Sequence, residues 1–190
     1  LDISKSHIEG CKGCFACWKA TPGKCCINDD MPQVIEKILW ADVIVYSFPL
    51  YYFNIPGTMK NLIDRQLPMV LPFMSENTSG VGSGSHDTRY DMSGKHSVLI
   101  STCGFYSAEG NYESVLRMFD HICGKGSYET ILCGQGELFS VKELSGRTNS
   151  YLKTVEQAGT EYAATGHISS ETRAKLQELL YPKDTFEKMA

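Results

Sequence analysis

Cys11, Cys14, Cys17 and Cys25 follow the spacing C-x2-C-x2-C-x7-C, with Cys26 adjacent. Two-residue intervals let successive thiolates turn toward one centre, which is how thiolate-held zinc and iron–sulfur sites are built. The alternative is a set of reduced, partly buried thiols in a loop covering a sheet edge. A second group, Pro49, Leu50, Tyr51, Tyr52, Phe53 and Asn54, directly follows the apolar run Val43–Phe48. Its aromatic faces and backbone amides suit a planar ring with heteroatoms at its rim. They suit equally an ordinary strand–turn–helix whose aromatics are core. A third group, Thr102, Cys103, Gly104 and Phe105, follows the apolar run from His96. Gly104 gives close backbone approach there, or simply marks a turn. Cys123 and Cys133 fall on apolar faces and are expected in the core. The five histidines form no metal-spaced set. His86 is the one that could approach a substrate, if the polar loop around it folds over a site. Asp64-Arg65 reads as a helix-end ion pair or cap, and no catalytic side chain is nominated.

The elements that position these groups are legible. Asp29-Asp30 before Met31-Pro32 reads as a helix start with a capping carboxylate. Val34, Ile35, Ile38 and Leu39 then share one helical face. Val43–Phe48 is apolar on both faces, as in strands inside a parallel sheet. A helix from about Pro56 buries Met59, Leu62 and Ile63, and a glycine- and serine-rich loop (Ser75–Gly94) follows, long enough to be functional or mobile. His96–Thr102 is the next strand. Asn111 is placed to cap a helix with the stripe Val115, Leu116, Phe119 and Ile122, stopped by Gly124. Tyr128–Cys133 is a third strand. Leu152, Val155, Ala158 and Tyr162 mark a helix closed by Gly166, and Ser169-Ser170 start a last short helix, through Leu179 and Leu180, ended by Pro182. Strands alternating with helices predict right-handed crossovers and a doubly wound parallel α/β sheet with helices on both faces, in one domain over residues 1–190. In such sheets ligands bind at the carboxyl ends of strands, where the second and third groups lie.

The bulk properties narrow the classes. The 190 residues are 42% hydrophobic and 21% charged, near the globular average, with net charge −4. No basic run suggests a nucleic-acid surface, and no apolar stretch approaches the roughly 20 residues of a membrane span. Eight cysteines in an α/β chain of this size read as cytoplasmic thiols or metal ligands rather than as disulfide staples.

At these motifs the chain resembles the flavodoxin-like NAD(P)H-dependent FMN reductase family. The residues that carry the resemblance are Cys11–Trp18, Pro22–Cys25, Asp29–Met31, Ala41–Ile44, Pro49–Tyr51, Met59–Arg65, Ile100–Phe105, Ala158-Gly159 and Thr165–Ser169. The resemblance implies FMN between the 49–54 and 102–106 loops, with Tyr51, Tyr52 and Phe53 stacking on or edging its ring. Amides around Asn54 and Gly104 would reach the polar rim. It implies NAD(P)H as co-substrate, a small-molecule electron acceptor, and a homodimer or higher homo-oligomer. The cysteine spacing resembles that of iron–sulfur flavoproteins, which implies a [4Fe–4S] cluster on Cys11, Cys14, Cys17 and Cys25. Arg89 and Lys95 could attract a nicotinamide phosphate, or could simply face water.

One departure is expected to matter. Family members begin with a strand and a phosphate loop resembling G-S-P-R-x-x-G-N-T, and Leu1-Asp2-Ile3 resembles only the tail of a second strand. The reading favoured here is an N-terminally incomplete chain, with a flavin-free relative as the alternative. In a flavodoxin-like strand order the absence of the first strand would leave Val43–Phe48 with an unpaired, apolar edge, which a partner chain could fill.

Overall fold

Short polar residues and prolines mark where several of the helices begin. The computed structural model describes residues 1–76 and 80–189. In chain order it contains α1 (Ala16–Lys19), α2 (Met31–Trp40), β1 (Val43–Pro49), α3 (Gly57–Asp64), β2 (Val70–Ser75), β3 (Ser85–Thr88), β4 (His96–Thr102), α4 (Glu113–Cys123), β5 (Tyr128–Cys133), α5 (Ser145–Thr165), α6 (Ser170–Leu176) and α7 (Lys183–Met189). Strands β1, β4 and β5 form a parallel sheet in the order β1-β4-β5, while β2 and β3 make a separate antiparallel pair. The chain groups into two compact units. One contains Leu1–Ile44, Ile55–Ser97 and Met118–Ser127, and the other contains Val45–Asn54, Val98–Arg117 and the chain from Tyr128 onward.

In the first unit the core is built on α2 and α3, where Met31, Val34, Ile38 and Leu62 are buried with Met69. At the start of α2 the carboxylate of Asp29, rather than that of Asp30, accepts from the Met31 amide at 3.1 Å. Asp30 instead accepts from the His7 amide at 2.7 Å. Of the two readings of Asp64-Arg65 the cap holds, with Arg65 as the C-cap of α3, and the ion pair does not form. Asp64 pairs with Lys60, one turn back, and Arg65 with Asp29. Arg89 and Lys95 are both committed to structure. Arg89 Nε donates to the Pro68 carbonyl, and Lys95 caps the end of α2 through the Leu39 and Ala41 carbonyls. The Ser75–Gly94 region is not simply a loop, because Ser85–Thr88 pairs with Val70–Ser75. Pro72 removes a ladder donor inside β2 and hides it from a pattern search. His86 does not reach out to a substrate: its ring lies 5.1 Å from that of Trp18, and its Nδ1 contacts the Phe73 carbonyl.

The core of the second unit collects Ile131, Cys133, Leu138, Tyr151, Ala158 and Ile168 under the C-terminal helices. The buried stripe of α5 runs through Thr148, Tyr151 and Ala158, so Leu152 is exposed, one position off the expected face. Ile122 of α4 is exposed as well, while Val115 and Phe119 are fully buried. Asn111 serves the turn before α4, donating to the Ser107 and Glu109 carbonyls. Pro182 does not end the helical region. Its carbonyl accepts from Thr185 and Phe186, and α7 continues from it with Phe186 buried.

Strand β1 is an edge of the sheet, as expected. Its Val43 and Val45 are 41% and 52% exposed, whereas Tyr46 and Phe48 are buried. The expectation that both faces of this run would be covered therefore fails for the face carrying the valines.

The junction of α5 and α6 depends on one carboxylate. Glu161 accepts from the Thr172 hydroxyl at 2.6 Å, the Ser169 amide at 2.9 Å and Gln157 at 3.0 Å. These donors, the Thr172 hydroxyl first, hold the carboxyl down to about 2, against 4.5 for an ordinary glutamate. A depressed carboxyl stabilises the fold above its unfolded value, and that contribution disappears as pH falls toward the folded one. Glu161→Gln should therefore flatten the loss of stability between about pH 4.5 and pH 2, measured by thermal melts across that window.

Candidate functional site: two aromatic loops and a cysteine pocket

Parallel neighbours β1 and β4 deliver the 49–54 and 102–106 loops to the same end of the sheet. In the second unit these loops are bonded to each other, with the Leu50 amide donating to the Thr102 carbonyl at 2.8 Å. Phe53 and Phe105 stack at 5.4 Å with 20° between their planes. The 51–54 turn is closed by Tyr51 and Asn54 exchanging both amide–carbonyl bonds at 2.9 Å. The Asn54 amide is thus spent inside the turn, which corrects the expectation that it reaches a ligand. Both central residues, Tyr52 (φ 49°) and Phe53 (φ 59°), sit in the left-handed region, which asparagine and glycine enter far more readily. Strain of about 1–3 kcal/mol at each such position is typical of binding sites. The turn leaves Tyr51 62%, Tyr52 100% and Phe53 51% exposed, with Phe105 also on the surface. Pro49 and Leu50 form the stem of the turn, and Leu50 is only half-buried.

The second loop is braced from beneath by residues that the sequence reading missed. Gly134, Gln135 and Gly136 follow β5 as Cys103 and its successors follow β4. The Gln135 amide donates to the Phe105 carbonyl and the Gly136 amide to the Cys103 carbonyl, both at 2.8 Å. A Cβ on Gly134 would lie 2.9 Å from the Phe105 oxygen and the Ser107 backbone, and one on Gly136 would lie 2.9 Å from Thr102 Cβ. Gln135 is fully buried, and its side-chain amide pairs with both the N–H and the carbonyl of Tyr181 at 2.8 Å. The signal was available: a glycine pair at the carboxyl end of a third parallel strand obeys the same rule that singled out the first two loops. Gly104, by contrast, is exposed, and a Cβ there would meet its nearest neighbour, a Glu137 oxygen, at an ordinary 3.7 Å. Cys103 is buried and its Sγ faces the Ser107 carbonyl, with burial pushing its thiol up. Cys133 is buried below it and pushed up to about 11.

The cysteine motif lies in the first unit. Amides of His7 and Glu9 bond Asp30 and Asp29, so the base of the 10–28 loop is tied on both sides. Arg65 completes the tie: its guanidinium grips Asp29 at 2.6 and 2.9 Å and the Glu9 carbonyl at 2.9 Å. Burial alone would raise the Asp29 carboxyl. The guanidinium and the Glu9 and Met31 amides outweigh it and hold Asp29 below the usual range. Inside the loop Trp18 donates to the Leu67 and Val70 carbonyls, and Gly23 turns at φ 83°, where a Cβ would also meet the Arg89 side chain at a tight 3.1 Å. Cys11, Cys14, Cys17 and Cys25 all line one small pocket, of about 20 Å³, together with Arg65. Cys17 is buried and Cys11 exposed, and all eight cysteines are free thiols. Among the described residues no three cysteine, histidine or acidic side chains converge as a metal site would require. The thiol contact that does form is between Cys14 and Cys26, at 3.7 Å. The Ala16 amide and then Cys26 lower the Cys14 thiol.

Comparison with known proteins places this geometry. A family model described as a flavodoxin-like fold matches residues 3–133. An iron–sulfur flavoprotein of Archaeoglobus fulgidus is 50% identical over 65 residues, which are 34% of this chain and 31% of that protein. An FMN-dependent NADH:quinone oxidoreductase of Stenotrophomonas maltophilia is 33% identical over 75 residues, 40% of this chain and 34% of that protein. The chain thus spans about a third of the length of the curated relatives it matches. The crystal structure of an azoreductase from Bacillus anthracis superposes with a TM-score of 0.50 at 18% identity, covering 75% of this chain and 71% of that one, a likeness of fold. With its parallel sheet, its strand-end loops and a family match over most of its length, the chain belongs to the flavodoxin-like fold family.

Proposed function

We propose that the chain forms the flavin-holding part of an FMN-dependent oxidoreductase that takes electrons from NAD(P)H and passes them to a small acceptor. The observation that carries this reading is the bonded pair of loops at the ends of β1 and β4, with aromatic faces left open. An isoalloxazine ring fits that surface: Tyr51 and Tyr52 offer flat faces, and the stacked Phe53 and Phe105 fix the spacing of the loops. When bound, FMN supplies hydride acceptance and the onward release of electrons. The chain's own part is to bind and orient the ring, to exclude water from one face, and to leave the other open. The exposure of Tyr52 also supports a second copy of the chain closing over the loop, as a homodimer. The names of the matched relatives support FMN and NADH.

Titration of the full-length polypeptide with FMN, followed by visible absorbance and by reduction with NADH, tests the reading. Tight uptake that falls at least about tenfold in Tyr52→Ala supports it, since each tenfold is about 1.4 kcal/mol. No uptake, or uptake indifferent to both Tyr51→Ala and Tyr52→Ala, overturns it and favours a flavin-free relative.

The strained turn makes a further prediction. Tyr52→Asn, which leaves the Phe53–Phe105 stack intact, should raise stability by about 1 kcal/mol while weakening FMN binding, because asparagine adopts the left-handed conformation at lower cost. Melting temperature and flavin affinity should move in opposite directions.

A second reading, an electron carrier with a [4Fe–4S] cluster on Cys11, Cys14, Cys17 and Cys25, is supported by the four sharing one pocket. Their chemistry suits a cluster and their placement does not, so no step is derived through one. Iron and acid-labile sulfide in anaerobically purified protein, lost on removal of Cys11 or Cys17, would establish it.

A further inference from the structure

The spacing of the cysteine motif points to Cys11, Cys14, Cys17 and Cys25 as one set, yet the sulfur in contact with Cys14 belongs to Cys26, outside that set. Their Sγ atoms are 3.7 Å apart, both residues are exposed, and neither is in a disulfide. The remaining members are differently placed. Cys17 is buried, and Cys25 is half-buried beside the Arg65 guanidinium. The two contacting residues sit on opposite limbs of a loop whose base is held by Asp29, Asp30 and Arg65. That tie keeps the limbs together without the sulfurs, so closing the gap to bond length needs only a local shift of exposed chain.

We propose that Cys14 and Cys26 form a reversible redox pair, a disulfide site that joins one member of the four-cysteine set to a cysteine outside it and is independent of any flavin. The oxidant is a low-molecular-weight disulfide of the glutathione class. The Cys14 thiolate attacks one sulfur of that disulfide, whose S–S bond breaks and releases one small thiolate. Cys26, losing its proton to solvent, then attacks Cys14 Sγ and expels the second small thiolate. Two protein thiols are oxidised to one disulfide, and one small disulfide is reduced to two thiols. Cys11, Cys17 and Cys25 remain thiols, and Cys14 is withdrawn from their pocket.

The test uses the whole chain, reduced, treated with a metal chelator, and equilibrated in glutathione buffers of graded potential. Peptide mapping without reductant reads the crosslink, and the rate of alkylation reads each thiol. The expected result is one crosslink, Cys14 to Cys26, reversed by dithiothreitol. Alkylation of both should slow at least tenfold, and that of Cys11 should be unchanged. Cys26→Ser should instead accumulate a mixed disulfide of Cys14 with glutathione. Cys123→Ser should leave the crosslink intact. Two free thiols persisting in the most oxidising buffer would overturn the proposal, as would a crosslink between any other pair or an unchanged crosslink pattern in Cys26→Ser.

Discussion

Arg65→Leu is expected to destabilise the first unit by about 3–5 kcal/mol, the cost of stranding one charge of a buried pair. The side chains of Arg65 and its partner Asp29 are 1% and 0% exposed, and two backbone amides also depend on that carboxylate. Asp29→Asn should cost less than Arg65→Leu, because its carboxamide oxygen can still accept one of those amides. The double variant should cost less than the sum of the two singles, since neither charge is then left alone. Urea unfolding of the four proteins measures this directly. Because the same tie closes the base of the cysteine loop, alkylation of Cys17 should accelerate in Arg65→Leu under conditions where the protein is still folded.

Gly134→Ala is the second substitution with a large expected effect. The new methyl would stand 2.9 Å from the Phe105 carbonyl oxygen and from Ser107 Cα, both backbone atoms that cannot rotate away. Overpacking of this kind costs about 1–3 kcal/mol. The strain falls on the loop that carries Phe105, so FMN affinity should fall at least about tenfold, a larger loss than stability alone would produce. Gly136→Ala should act similarly through Thr102 Cβ. Gly104→Ala is the control: its methyl meets only a Glu137 oxygen at 3.7 Å, so both stability and FMN binding should be nearly unchanged. If Gly104→Ala proved the more damaging, the support assigned to the 134–136 turn would be wrong.

The glycines show the limit of reading by type. Gly104 stood out because it precedes two aromatics at a strand end, and the structure gives it no steric role. Gly134 and Gly136 were not singled out at all, and they are where the chain packs too closely to admit a side chain. Gln135 between them could not be singled out from its type, because its value lies in reaching Tyr181, 46 residues away.

Local pattern alone determined the strands Val43–Phe48, His96–Thr102 and Tyr128–Cys133, the helices between them, and the strand-end location of the aromatic loops. Apolar periodicity and capping residues act over a few positions and are written directly in the chain. Tertiary structure decided what required distant partners: that Arg65 chooses Asp29 over Asp64, that Cys14 meets Cys26, that Val70–Ser75 pairs as a strand, and that the valine face of β1 is left open. Each of these is a choice among competing partners of similar chemistry, and such choices are made by which backbone segments the folded core brings within reach.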